Sequence, residues 1–309
     1  MRVLITGGCG FIGTNLIARW RQQTDIVVRV FDNESVGKKE YLDTPVDEFV
    51  HGDLRDRAAL CGALAGVDAV VHLAADTRVV ESIQNPIKNF EVNAAGTFYL
   101  LQAMREQRVG RIVNASTGGA IIGNVDGPVH EEMVPRPLSP YGASKLATEG
   151  YCSAFSASYG LSSLSLRFSN VYGPRSFHKG SVVAAFFKRI LEDKPVIVYG
   201  DGTQVRDYVF AADICDGIIN GVNSSITGVI QLGSGRSLSL NELLTAIAEI
   251  IRPKKIKIRH EPFRKGEVYA TYCDVTKARK DLGFEPNTNL HDGLADTWGW
   301  FQRFGKAVA

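Results

Sequence analysis

An α/β fold, a Rossmann-type doubly wound parallel sheet with a smaller C-terminal α/β substrate lobe, is what this sequence predicts, on three observations. Short β-branched runs recur with stretches of helical periodicity between them, a glycine-rich turn follows the first run directly, and the alternation loosens past about residue 168.

The expected strands are Val3 to Thr6, Ile26 to Phe31, Ala69 to Leu73, Arg111 to Ala115 and Ser163 to Phe168. Alternation of such runs with helices implies parallel pairing with both faces of the sheet covered. Ile12, Leu16, Ile17 and Trp20 share one face of the first helix, and Phe90, Phe98, Leu101 and Met104 one face of another near residues 88 to 107; both are packing faces. Beyond residue 168, Pro174, Pro195, Gly200-Asp201-Gly202, Pro253, Pro262 and Pro286 punctuate shorter elements. The expected division is residues 1–168 and 169–309, with some later segments returning to the first domain. No flexible linker separates them, so the lobes should share a broad interface with a cleft between them.

Composition excludes several classes. With 309 residues, 45% hydrophobic and 22% charged, the chain can bury a large core. Its 35 basic and 33 acidic residues are interspersed, which predicts neither a nucleic-acid nor a membrane partner. Five cysteines without CxxC spacing argue against a disulfide framework and a zinc site, and fit a reducing cytoplasm. The apolar run before the first glycines is too short for a signal-peptide core, and no run reaches the ~18 apolar residues a spanning helix needs. The six histidines lack metal-ligand spacing, so no metal is expected.

The turn Gly7-Gly8-Cys9-Gly10-Phe11-Ile12-Gly13 leads from a strand into a helix, the context in which a GxxGxxG run binds a dinucleotide. Gly7 permits the tight turn, Gly10 lets backbone approach a pyrophosphate, and Gly13 lets helix pack on strand, while the helix start at Phe11 and Ile12 offers free N–H groups. Asp32, 25 residues after Gly7 at the end of the second strand, is placed to accept from a ribose diol. Its charge repels a 2′-phosphate, so NAD is the expected cofactor rather than NADP. Asn33, Asp53-Leu54 and Leu73-Ala74-Ala75 fall at strand ends on the same edge.

Ser139 as N-cap and Pro140 at the first helical position start a helix that stacks Tyr141 and Lys145 at i and i+4. Lys145 and an oxidised nicotinamide supply two positive charges near the phenol. Moving a phenol from about 10 to near 7 takes roughly 4 kcal/mol, which would make Tyr141 a general base. Ser116 and Thr117, at the end of the strand from Arg111, are both candidates for an assisting hydroxyl.

With these residues in order, the sequence resembles the extended short-chain dehydrogenase/reductase family, in its UDP-glucose 4-epimerase-like branch. The resemblance is carried by TGGCGFIG, GDLRD at 52–56, HLAAD at 72–76, NAAGT at 93–97, ST at 116–117, YGASK at 141–145, RFSNVYGPR at 167–175, GDGTQVRDYVF at 200–210, RKGE at 264–267 and a closing DTWGWF. It implies C4 epimerisation of a UDP-hexose by transient oxidation with bound NAD, and a homodimer through helices near 88–107 and 142–158. It also implies that Asn93 supports the active-site backbone, that Tyr141, Lys145 and one of Ser116 or Thr117 carry the chemistry, and that Asn170, Arg206 and Arg264 hold the nucleotide diphosphate and sugar. Asp207 and Glu267 are candidates to orient those arginines or to accept from a ribose hydroxyl. One residue more than usual follows the strand (S-T-G-G-A-I-I-G), and Ile122 stands where the family has tyrosine. Thr271 occupies the family's sugar-side size gate; being small, it points to UDP-N-acetylglucosamine as well as, or instead of, UDP-glucose. A 4,6-dehydratase needs an acidic pair where Gly118-Gly119 stand, a reductase using NADPH is disfavoured by Asp32, and a non-catalytic NAD-binding regulator has no use for Tyr141 and Lys145 together.

Overall fold

Seven strands pair in parallel into one sheet: β1 (Arg2–Thr6), β2 (Val27–Asp32), β3 (Glu48–His51), β4 (Ala69–His72), β5 (Arg111–Thr117), β6 (Ser162–Phe168) and, after a long excursion, β7 (Gly228–Leu232). The computed structural model describes residues 1–22, 26–263 and 270–304. The strand order is β3-β2-β1-β4-β5-β6-β7. The direction of winding reverses between β1 and β4, and open α/β sheets bind ligands outside the carboxyl ends of the strands at such a switch point.

Both faces of the sheet are covered. Helices Phe11–Arg21 and Ala211–Asn223 bury one face around Leu16, Ile17, Trp20, Ile214 and Ile218, all fully buried. Helices Arg57–Leu64, Gly96–Glu106 and Pro140–Tyr159 cover the other around Leu4, Leu60, Leu100 and Ile112. Near-continuous apolar strands such as β1 and β4 follow from this double burial. The return to the first domain expected from sequence consists of Ala211–Asn223, β7 and the helix Thr276–Leu282, all packed on this sheet.

The remaining elements build a separate core in which Phe187, Leu243, Ile247, Leu294 and Phe301 are buried between helices Val182–Leu191, Leu240–Ile250 and Leu290–Phe304. Strand Val196–Tyr199 pairs with Ile258–Glu261 beside them. Asn170–Tyr172 pairs with Tyr208–Phe210, and Val205–Arg206 lies between Leu238–Ser239 and Ala270–Thr271, so these short ladders border the sheet's carboxyl end.

Candidate active site

The glycine turn is built for close approach. Gly7 has φ +70°, and a Cβ there would lie 2.6 Å from Ala74 N, so only glycine lets the β1 turn lie against the end of β4. A Cβ on Gly13 would lie 2.5 Å from Gly8 O, which fixes helix Phe11–Arg21 directly on the turn. Asp32 closes the adjacent edge: its carboxylate is buried and accepts from Cys9 N at 3.0 Å and Glu34 N at 2.8 Å. Burial outweighs these bonds and pushes its pKa up. Asn33 donates to Asp53 Oδ2 at 2.7 Å, and Arg55 engages both Asp53 oxygens, holding that carboxyl well below the usual range. Leu54, Leu73, Ala74 and Ala75 fall along the same crevice, at the ends of β3 and β4. These residues fit a dinucleotide: a glycine cradle at a helix start, beside a carboxylate at the end of β2.

Gly37 also belongs here, although no sequence signal marked it. A Cβ on it would lie 2.1 Å from Cys9 O, so the loop after β2 lies tightly over the glycine turn.

Across the switch point, His72 links β4 to the next layer. Its Nδ1 is 2.7 Å from Thr6 Oγ1, and its Nε2 is 2.9 Å from Thr97 Oγ1, which itself donates to Asn93 O. That chain makes Nε2 the protonated nitrogen. Burial, helped by the Lys145 charge, lowers the His72 pKa to about 3. Asn93 is buried; its Oδ1 accepts from Asp76 N at 2.8 Å, and its Nδ2 donates to Asp76 O at 2.9 Å and Ser144 Oγ at 3.0 Å. Its amide is spent on the backbone after β4 and on the Tyr141 helix, so Asn93 positions the crevice.

The end of β5 separates the two candidate hydroxyls, because successive strand residues point to opposite faces. Thr117 lies beside the Tyr141 phenol, where its hydroxyl pulls the phenol's pKa down. Ser116 turns the other way and donates to Glu149 Oε1 at 2.6 Å. Helix Pro140–Tyr159 supplies the partners: Ser139 caps it by accepting from Gly142 N, and Tyr141, Lys145 and Glu149 follow at one-turn intervals. Lys145 is 4% exposed and donates to Ala115 O at 2.8 Å. Burial lowers its ammonium to about 8, against the raising influence of Glu149. Burial also pushes Tyr141 up to about 12, with Thr117 pulling the other way. The near-neutral phenol expected from sequence is therefore not a property of the chain alone.

Behind this pair Glu149 accepts from Arg167 Nε at 2.9 Å and Nη2 at 2.7 Å, with both side chains at most 6% exposed. A forked pair this deep fixes Ser116, β6 and the helix together, and removing one partner of such a pair costs about 3–5 kcal/mol.

On the far side, Thr271 pairs in register with Arg206, and a Cβ on Gly119 would lie 2.8 Å from Thr271 Cγ2. Thr271 thus packs two residues beyond Thr117. Asn170 is exposed at the start of its short strand, and Arg206 Nη1 donates to Val205 O at 2.8 Å. Arg264 and Glu267 lie outside the described residues. Asp207 corrects the sequence reading. It is fully buried and accepts from Ser169 Oγ, Ser234 N and Oγ, Gly235 N and Cys273 N. Its oxygens tie three loops together, so among the described residues it serves no arginine, and its burial keeps it from a ribose. Among the described residues no helix is long and apolar enough to cross a membrane, and no group of three or more His, Cys, Asp or Glu is placed to hold a metal.

Known proteins share this fold. The profile of the NAD dependent epimerase/dehydratase family matches residues 3–228. The chain is 35% identical over 312 residues to a UDP-glucose 4-epimerase of Mycolicibacterium smegmatis, covering 98% of this chain and 99% of that one. It superposes on the UDP-glucose 4-epimerase of Thermotoga maritima solved with UDP-glucose, with a TM-score of 0.93 and 36% identity over 98% of this chain and 99% of that one. It also superposes on a UDP-N-acetylglucosamine 4-epimerase of Methanobrevibacter ruminantium solved with UDP-N-acetylmuramic acid, with a TM-score of 0.92 and 30% identity over 98% of each chain. With its glycine cradle, Asp32 edge and tyrosine–lysine helix, the chain belongs to the NAD dependent epimerase/dehydratase family, and its cofactor is NAD.

Proposed function

We propose that this chain inverts C4 of a UDP-hexose, taking UDP-N-acetylglucosamine to its galacto epimer and possessing room for UDP-glucose and UDP-galactose. The observation that carries the reading is the Thr117 hydroxyl beside the Tyr141 phenol, one helical turn from Lys145, at the strand end beside the glycine cradle. Gly7, Gly10, Phe11, Ile12, Gly13, Asp32, Asn33, Asp53, Leu54, Leu73, Ala74 and Ala75 line the NAD site. Bound NAD supplies the reversible oxidation at C4 that lets the sugar lose and regain its stereochemistry.

Tyr141 Oη accepts the C4 hydroxyl proton and later returns it. Thr117 is placed to donate to that oxygen and so to stabilise the phenolate form that acts as the base. Lys145 is buried and keeps two donors beyond the one spent on Ala115 O, so its positive charge supports the phenolate and its remaining N–H groups would help to hold the bound cofactor. Asn170, Arg206, Arg264 and Glu267 belong to the nucleotide-sugar side, and Thr271 sets the space around the sugar. Residues 1–168, with the returning segments, hold NAD, and the rest of 169–309 holds the nucleotide sugar. The protein works in a reducing cytoplasm as a homodimer. Exposed Tyr151 and Tyr159 on helix Pro140–Tyr159, with Ile87 and Phe90 nearby, form the apolar face that a second copy covers.

The test is incubation of purified protein, without added cofactor, with UDP-N-acetylglucosamine and separately with UDP-glucose, following C4 epimers by proton NMR. Galacto epimer from the N-acetyl sugar is the expected result. A strong preference for UDP-glucose removes the Thr271 argument, and no epimer from either, even with NAD supplied, removes the reading.

A further inference from the structure

Beside the reacting residues lies a group of cations that epimerisation as described does not use. Lys179 extends from the loop after strand Asn170–Tyr172 and donates to Thr77 Oγ1 at 3.3 Å. Thr77 is exposed and follows Asp76, whose charge acts on Tyr141; the Lys179 charge acts in turn on Lys145. The Lys179 head therefore belongs to the reacting end of the crevice rather than to the Arg206 side. Its surroundings share its sign. Arg78 and Lys188 are near, Lys188 donates to Lys179 O at 2.8 Å, and His178 feels Lys179, Lys188 and Arg78 together. Arg78 is already paired with Glu81, but among the described residues Lys179 has no acidic partner. Burial and Arg78 both lower its ammonium. A partly desolvated cation beside other cations, bonded only to a neutral hydroxyl, costs stability until an anion completes it.

We propose that Lys179, with Thr77 beside it and Arg78 behind it, seats an anionic substituent of the sugar itself, so that a nucleotide sugar bearing a carboxylate binds in preference to its neutral counterpart. The inference rests on the reading of the crevice as a nucleotide-sugar site. A carboxylate accepts from an ammonium and a hydroxyl at once and cancels the excess positive charge, which a neutral hydroxymethyl does not. It is compatible with an acetamido group on the Thr271 side, since the two features sit on different elements.

The experiment uses NAD-loaded protein and two matched pairs, UDP-glucose with UDP-glucuronate and UDP-N-acetylglucosamine with its uronate, together with UDP alone. Dissociation constants come from calorimetry and C4 epimers from NMR. The acidic member of at least one pair is expected to bind at least about tenfold more tightly than its neutral partner, the scale of one charge-assisted hydrogen-bonded contact. K179M should bring the two members to within about twofold, with the neutral member and UDP unchanged, while K179R keeps most of the preference; K179Q replaces K179M if that variant does not fold. Neutral members binding as well as acidic ones in the unmodified protein overturns the proposal. So does a K179M loss shared by every ligand including UDP, which would make Lys179 a diphosphate contact. Failure of all ligands and of UDP to bind would instead overturn the nucleotide-sugar reading, and this proposal with it.

Discussion

Strand alternation at the end of β5 separates two hydroxyls that sequence leaves equivalent, and paired variants test that separation. Thr117→Val removes the hydroxyl that lies beside the Tyr141 phenol while keeping side-chain shape. A hydrogen bond to a charged group, here the phenolate that acts as base, contributes about 1.5–3 kcal/mol, so kcat should fall by roughly 10- to 150-fold with little change in melting temperature. Ser116→Ala acts elsewhere. It strips from buried Glu149 one donor at 2.6 Å and leaves the two Arg167 bonds in place. The cost there is stability, about 1–3 kcal/mol, with kcat within about threefold of the parent. The assay is steady-state epimerisation by NMR or by a coupled reaction on UDP-N-acetylglucosamine, with urea unfolding of both variants. If Ser116→Ala lowers kcat more than Thr117→Val does, the assignment of roles drawn from the strand faces is wrong.

Four further expectations follow from particular contacts. His72 is fully buried with its pKa lowered to about 3 against an unfolded value of 6.5, so the folded state binds fewer protons below pH 6.5 and stability falls as pH falls; between pH 8 and pH 5 this group removes about 2 kcal/mol, and urea unfolding should show that slope reduced in His72→Gln. Gly37→Ala puts a Cβ 2.1 Å from Cys9 O, displaces the loop over the glycine turn, and should give protein that loses NAD on gel filtration while melting within a few degrees of the parent when NAD is absent. Thr271→Tyr puts a bulky ring beside Gly119 and should shift the ratio of kcat/KM toward UDP-glucose over UDP-N-acetylglucosamine by at least about tenfold, a ratio that stays fixed if Thr271 is only a packing residue. Tyr151→Asp combined with Tyr159→Asp charges the exposed face of helix Pro140–Tyr159 and should yield monomer by sedimentation; an unchanged dimer places the interface elsewhere.

The parts of this molecule that sequence made legible are those governed by local rules. β1, β2, β4, β5 and β6 are apolar runs buried on both faces, the glycine turn is demanded by a φ of +70° and a 2.6 Å approach, and the Ser139 cap with Pro140 starts the catalytic helix where i and i+4 spacing requires. What stayed hidden depends on partners far away in the chain. β7 is a five-residue strand whose place at the sheet edge is set by pairing with β6, more than sixty residues earlier, and nothing within Gly228–Leu232 announces it. Asp207, beside Arg206, has the look of a ligand-binding acid, yet its five donors come from three separate loops, which no spacing rule counts. Lys179 sits in a loop with no periodicity, and its meaning appears only when Thr77, Arg78 and Lys188 are brought around it. Ser116 and Thr117 are the boundary case. Alternation makes them point apart, but only the lie of the helix from Pro140 decides which of the two faces Tyr141, because a one-residue shift of register exchanges their roles. The inserted residue in S-T-G-G-A-I-I-G leaves that register undetermined by motif alone. It is resolved by Glu149, whose Arg167 pair anchors it two turns below Tyr141 and whose Oε1 takes the Ser116 hydroxyl, leaving Thr117 as the one that meets the phenol.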